Sequence, residues 1–266
     1  MTDSDGNGLR VFLTGASSGI GMALARAYAS QGATLGLVAR RASELHALRA
    51  SLPEPQRHRI YVLDVTDHAA LQGAADDFID ALGGADVVIA NAGISQGTLT
   101  EFREDLPAFE RIMAVNVTAT FATFTPFVAH MLAQPVAQRE RCRLVGIGSV
   151  AGIRGLPGAE AYSASKAAVI SYCESLRVEL RTKGIKVVTI APGYIDTPMT
   201  RVNTYRMPFL MAPEQFARRA LQTIADGRSY RVIPWQMGVV AKMLRMAPNW
   251  LYDAVFARAP HKPRNL

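Results

Sequence analysis

Seven short apolar runs punctuate the chain, at residues 11–14, 34–39, 60–64, 87–91, 144–149, 186–191 and 230–234. Each has the length of a buried strand rather than of a core helix. Between nearly all of them lie stretches with apolar residues at helical spacing. In 22–30, for example, Leu24, Ala27 and Tyr28 fall on one stripe. Such alternation predicts a doubly wound α/β fold of Rossmann type, a parallel sheet covered by helices on both faces. A chain of 266 residues with 49% hydrophobic content can bury one large core, and no linker, repeat or low-complexity block divides it. A single domain is expected: a flexible polar segment over 1–8, a main body over 9–234, and a helical extension of the same body over 235–266. Ligands of such sheets bind at the carboxyl ends of the strands. Thr14, Asp64, Asn91 and Ser149 fall at those ends.

The first strand runs into TGASSGIG, residues 14–21, and then into a helix. Strand, glycine turn and helix together are the context of a dinucleotide-binding turn. Gly15 permits the tight turn, Gly19 a close approach to pyrophosphate, and Gly21 close helix–strand packing. Ser17, Ser18 and Ile20 complete the loop, whose helix N-terminus offers free N–H groups to phosphates. After the second strand the chain reads Ala39-Arg40-Arg41, where an NAD enzyme would carry an acid. An acid would repel a 2′-phosphate, whereas a guanidinium grips it. NADP(H) is therefore expected over NAD(H), with Arg40 on the phosphate and Arg41 stacked on adenine.

Tyr162 and Lys166 stand four residues apart in YSASK, a spacing that places both on one helix face. A free phenol titrates near pH ~10. A neighbouring ammonium stabilises phenolate and lowers that value, which suits the Tyr to general acid–base work.

These motifs, in this order, identify the chain as a member of the short-chain dehydrogenase/reductase family. The resemblance runs from about Leu9 to Met199 and includes TGASSGIG, Asp64-Val65, Asn91-Ala92-Gly93, Asn116, Ser149, YSASK, Pro192-Gly193 and Thr197-Pro198-Met199. It implies an oxidoreductase that interconverts a ketone or aldehyde with its alcohol, with a nicotinamide cofactor. By resemblance, Asp64 and Val65 lie at the adenine and Asn91, Ala92 and Gly93 beside the ribose. Tyr162 is the proton donor, Lys166 also holds the nicotinamide ribose, and Ser149 hydrogen-bonds the substrate oxygen. Asn116 holds a water that links the lysine to solvent. Pro192, Gly193, Ile195 and Thr197 close over the nicotinamide. A nucleotide-binding regulator or scaffold that has lost turnover is the alternative, which the complete Ser149, Tyr162 and Lys166 set disfavours.

The substrate loop, about 194–213, carries Tyr194, Met199, Val202, Tyr205 and Phe209, an apolar lid suited to an acyl, steroid-like or lipid-like compound. Ile94, Ser95, Arg154 and Leu156 are expected along the remaining pocket wall; for Arg154 a surface role is open too. Past residue 234, Met243, Met246, Trp250 and Phe256 lie near Lys242 and Arg245. That pattern is open to three readings: helices packed on the body, a subunit contact, or a peripheral membrane contact, which the net charge of +7 would assist. Resemblance implies a homo-oligomer, tetramer or dimer, assembled through the helices carrying Asn116 and Tyr162. The arginines are scattered and no recognition motif appears, so no nucleic-acid partner is expected, and no metal site is. Two cysteines, an N-terminus without a signal-peptide core and no uncharged apolar run of membrane-spanning length point to a cytoplasmic protein.

Overall fold

A computed structural model describes residues 8–259 and 261–264; residues 1–7 of the expected flexible N-terminus lie outside the described residues. Seven strands form: β1 (Arg10–Thr14), β2 (Thr34–Ala39), β3 (Arg59–Val62), β4 (Val87–Ala90), β5 (Arg143–Ile147), β6 (Lys186–Pro192) and β7 (Tyr230–Ile233). They pair in parallel in the order β3-β2-β1-β4-β5-β6-β7. The chain leaves β1 in one direction and returns to β4 on its other side, so a crevice opens between these two strand ends. Asp64, Asn91 and Ser149 sit one or two residues beyond the ladder rather than inside it. Their side chains are thereby freed from the pleat to point into that crevice.

Eleven helices are seen among the described residues: α1 (Gly19–Ala29), α2 (Ala42–Ser51), α3 (His68–Leu82), α4 (Leu106–Met113), α5 (Ala119–Ala133), α6 (Val136–Arg139), α7 (Glu160–Arg181), α8 (Pro198–Arg201), α9 (Pro213–Ala225), α10 (Trp235–Met246) and α11 (Asn249–Phe256). Two cores form, one on each sheet face. Leu24 and Tyr28 of α1, Leu45 of α2 and Phe216 of α9 cover Leu13 and Leu35 on the first. On the second, α3, α5 and α7 cover the sheet around Phe12, whose ring meets Phe78 at 5.4 Å and Phe127 at 4.8 Å. Burying an apolar side chain of this size contributes about 1.5–3 kcal/mol. These buried faces fix the helices, and thereby the loops at the strand ends.

One expectation needs correction. Residues 103–133 form a continuous helical run that is long and apolar enough to cross a membrane by length and composition. Its charged residues all lie in 103–111; residues 112–133 carry no Asp, Glu, Lys or Arg, and Asn116 with four threonines breaks up their apolar character. Half of its apolar window is buried inside the protein, where α5 packs against α3 and β4. Between α4 and α5 the run widens into one π-helical turn, Ala114–Thr118, which carries Asn116. Such widened turns frequently mark functional positions.

Candidate active site

The switch point is fastened by side chains. Thr14 Oγ1 accepts from the backbone N–H groups of Asn91 and Ala92, both at 3.1 Å. Asn91 Nδ2 donates back to the carbonyls of Thr14 at 2.9 Å and Gly15 at 3.2 Å. This clasp needs a backbone with no Cβ at Gly21, where one would lie 2.1 Å from the Gly15 carbonyl oxygen and 2.7 Å from Asn91 Nδ2. Gly15 turns at φ +70°, a region that glycine enters without strain.

Above the clasp opens a cleft of about 280 Å³. Every residue expected to hold cofactor lines it: the turn from Gly15 through Ser17–Gly21, Arg40 and Arg41, Asp64 and Val65, Asn91–Gly93, and Pro192, Gly193, Ile195 and Thr197. Ser149, Tyr162 and Lys166 line its other end. The first turn of α1 opens into the cleft without a side-chain cap and without an acidic residue. Uncapped N–H groups and a positive helix end suit a pyrophosphate, so the residues fit a dinucleotide.

Arg40 Nη1 faces Asp64 Oδ2 at 3.5 Å, and its side chain stays half exposed. Burial alone would raise the Asp64 carboxyl. The Thr66 backbone and hydroxyl donors together with Arg40 outweigh it and hold the group below the usual carboxylate range. Arg41, expected to stack on adenine, lines the cleft and has a further role. Its Nη2 donates to Ser17 Oγ at 3.0 Å and to the Ser17 carbonyl at 3.3 Å, bracing the glycine turn.

At the other end, Tyr162 and Lys166 lie on one face of α7, with Lys166 Nζ 5.9 Å from the Tyr162 ring centroid. The ammonium donates to the Ile147 carbonyl at 2.9 Å rather than to the phenol. Consequently the expected lowering of the phenol is not seen. Burial pushes Tyr162 above its usual range, and a hydrogen bond shared with Ser149 draws it back only in part. Burial also draws Lys166 down, to about 8. Ser149 Oγ in turn accepts from the Ala151 N–H at 3.1 Å, which fixes its rotamer at the cleft wall.

Asn116 does not line the cleft. Its amide is taken up by the Ile94 backbone, accepting from the N–H at 2.8 Å and donating to the carbonyl at 3.0 Å, and by Ser165 Oγ at 2.9 Å. It therefore locks the loop after β4 to α7. Between Asn116 and the lysine lies Gly93, where a Cβ would stand 3.3 Å from Asn116 Oδ1 and 3.4 Å from Lys166 Nζ. Of the expected substrate residues, Ile94 and Met199 line the cleft; Ser95, Tyr194 and Phe209 do not. Tyr194 packs edge-on against Tyr205 at 6.3 Å, and Phe209, at φ +58°, is half exposed. Ser95 is buried under Lys262, as described below. Arg154 serves neither substrate nor open surface. It donates to the carbonyls of Leu244 and Ala247 at the end of α10 and lies 4.0 Å over the Tyr252 ring.

Sequence reasoning placed Thr14 at a ligand-binding strand end without its clasp on Asn91, and missed Ser165 and Lys262. Ser165 sits inside YSASK, where the Tyr–Lys pair stands out. Nothing near Lys262 in the sequence signals a site.

The short chain dehydrogenase family model matches residues 10–207. An uncharacterized oxidoreductase of Myxococcus xanthus is 38% identical over 250 residues, covering 92% of this chain and 95% of that protein. A 2-dehydro-3-deoxy-L-rhamnonate dehydrogenase (NAD(+)) of Sphingomonas is 35% identical over 187 residues, covering 70% and 72%. The solved 3-ketoacyl-(acyl-carrier-protein) reductase of Brucella melitensis, complexed with NADH, superposes with a TM-score of 0.77 at 24% identity, over 85% of this chain and 97% of that one. A glycine turn at the switch point, a Ser–Tyr–Lys set across the cleft and these matches agree: the chain belongs to the short-chain dehydrogenase/reductase family, NAD(P)-dependent oxidoreductases of alcohol and carbonyl groups.

Proposed function

We propose that the protein reduces a hydrophobic ketone or aldehyde, or oxidises the matching alcohol, with NADP(H) preferred over NAD(H). The observation that carries this reading is the convergence of Ser149, Tyr162 and Lys166 on the end of the cleft opposite Arg40 and Arg41. When bound, the reduced nicotinamide supplies the hydride that the carbonyl carbon takes up. Ser149 and Tyr162, which already share a hydrogen bond, both turn to the carbonyl oxygen of the substrate. A phenol kept protonated by burial is ready to donate, and its proton passes to that oxygen as the C=O bond becomes CH–OH. Lys166, 5.9 Å from the ring, offsets the phenolate charge left behind. Oxidation runs the same transfers backwards.

Arg40 supports the NADP(H) preference, because an arginine rather than an acid stands at the strand end and its guanidinium, though it faces Asp64 at 3.5 Å, stays half exposed to a phosphate. The Brucella structure holds NADH and the Sphingomonas relative is named for NAD(+), so the preference proposed here rests on Arg40. Ile94 and Met199 on the cleft wall, with Phe209 and Leu210 exposed in the loop after α8, support an apolar acyl, steroid-like or lipid-like substrate. Leu106, Phe121 and Val178, exposed on α4, α5 and α7, support a homo-oligomer formed through those helices, a tetramer before a dimer. On α10, Trp235, Val239, Met243 and Met246 form one exposed stripe beside Lys242 and Arg245, which supports a peripheral contact with an anionic membrane. Both cysteines are free and buried, which supports a cytoplasmic setting.

A carbonyl panel assayed with NADPH and NADH in parallel tests this reading. Oxidation of NADPH at a higher kcat/KM than NADH on at least one apolar carbonyl is expected. Failure of every carbonyl and alcohol to turn over would sink the proposal.

A further inference from the structure

The chain's last described residues reach the substrate end of the cleft. Lys262 Nζ donates to Ser95 Oγ at 2.9 Å and to the Met199 carbonyl at 3.3 Å. These acceptors stand on opposite banks. Ser95 follows Ile94 in the loop after β4, and Met199 belongs to α8 after β6; Ile94 and Met199 both line the cleft. Lys262 is buried, and among the described residues no carboxylate forms an ion pair with it. An ammonium held out of water without a counter-ion is costly, and burial draws it down to about 8. Packing alone would be better served by an apolar side chain, so the donor groups have a purpose.

Around Lys262 the tail is held at several points. Arg264 grips Asp105 with two bonds, Nε to Oδ2 at 2.8 Å and Nη2 to Oδ1 at 3.1 Å, and lies 3.6 Å over the Phe102 ring. Asp105 also accepts from the Leu99 N–H at 2.9 Å, so one carboxylate shapes the loop and anchors the tail. The Gly97 N–H donates to the Pro263 carbonyl at 2.9 Å, and the Gln96 amide donates to the Arg264 carbonyl. Two glycines make room. A Cβ at Gly97 would lie 2.1 Å from the Lys262 carbonyl oxygen, and one at Gly158 would lie 2.5 Å from the His261 ring. Gly158 precedes α7, the helix that carries Tyr162. The tail therefore touches the loops that follow β4, β5 and β6.

We propose that residues 261–264 form a strap across the substrate end of the cleft, and that Lys262 is its positioning residue. By holding Met199 to Ser95 it sets how wide that end opens, and so which carbonyl compounds enter, while the nucleotide end is left alone. The inference rests on reading that end as the substrate site.

The test uses the full chain with Lys262→Met, which keeps length and apolar volume, and Lys262→Arg, which keeps charge and donors. Without any substrate, Lys262→Met should speed amide hydrogen exchange at least tenfold in 94–99 and 197–202 and leave 14–22 unchanged. NADPH affinity should move less than twofold. On a carbonyl that the panel shows to be turned over, KM should rise at least fivefold with kcat within twofold, bulkier carbonyls should gain relative to smaller ones, and Lys262→Arg should recover most of the loss. Unchanged exchange in both segments would overturn the strap, as would a joint fall of cofactor affinity, kcat and melting temperature, which marks a merely structural lysine. If no carbonyl is turned over, the functional reading fails by itself and the exchange result still decides the strap.

Discussion

The two ends of the cleft are built in different ways. At the nucleotide end, the site consists of backbone at strand ends, held by partners close in sequence or in the neighbouring strand: Thr14 with Asn91, Arg41 with Ser17, Arg40 with Asp64. At the substrate end the walls are pinned from far along the chain, with Lys262 on Ser95, Arg264 on Asp105 and Arg154 on the end of α10. Rigid, local construction suits a part that meets one cofactor. A wall assembled from distant segments can change with the tail while the chemistry stays in place.

Two substitutions probe the ends most severely. Tyr162→Phe removes the only atom proposed to move a proton and leaves the ring that fills the cleft wall. Turnover should drop by roughly 10²–10⁴-fold with cofactor affinity nearly unchanged, read as single-turnover NADPH oxidation; retention of most of the rate would dismiss Tyr162. Gly21→Ala attacks the other end. Its methyl would meet the Gly15 oxygen at 2.1 Å, and overpacking of this kind costs about 1–3 kcal/mol. A lower melting temperature and a matching loss of NADPH and NADH binding are expected. Wild-type binding of both would mean that the clasp is looser than its distances say.

How much of this was legible beforehand follows the same division. The strands and their parallel pairing could be read because the buried runs are short, apolar and followed by a helical pattern; the order of the strands in the sheet could not. The glycine turn and YSASK could be read because their geometry is set within eight residues. Asn116 was legible as a site residue, yet its actual work, tying the Ile94 backbone to Ser165, depends on a π-turn that no local pattern announces. The Tyr162–Lys166 spacing was right, but the direction of the phenol's shift was not. Burial and the Ile147 carbonyl that takes the ammonium are tertiary facts. The tail on Ser95 spans 167 positions of sequence; contacts of that range leave no periodic trace.

Within the nucleotide end, Arg40 and Arg41 can be told apart. Arg40→Ala removes the half-exposed guanidinium that faces Asp64 and should weaken NADPH by about tenfold, a change of about 1.4 kcal/mol, with NADH little affected. Arg41→Ala loosens the brace on Ser17 and should weaken both cofactors alike. Isothermal titration with each nucleotide separates the two outcomes. Equal weakening of both by Arg40→Ala would remove the 2′-phosphate from the argument.

The smallest effect is one of pH, and it compares the two buried lysines directly. Lys166 in the main body and Lys262 in the tail are both drawn by burial to about 8, whereas a lysine of the unfolded chain titrates near ~10.4. Below pH 8 both states carry the charge and the contribution is flat, at its least favourable. Between about 8 and about 10.4 the unfolded chain holds the extra proton, so each lysine makes stability rise with pH. Cys142 and Cys173 work against this: burial raises them to about 11 and about 12, so the fold keeps thiol protons that the unfolded chain has begun to lose. A single stability curve mixes these trends, and a difference between two proteins isolates one group. Lys262→Met removes one rising contribution and leaves Lys166 and both cysteines untouched. Its stability curve, measured by denaturant unfolding from pH 7 to 10, should run parallel to the wild type below pH 8 and climb less steeply above it, by up to about 1.36 kcal/mol per pH unit. Parallel curves over the whole range would place the tail lysine in water, and the two ends of the cleft would then be alike in being closed by the main body alone.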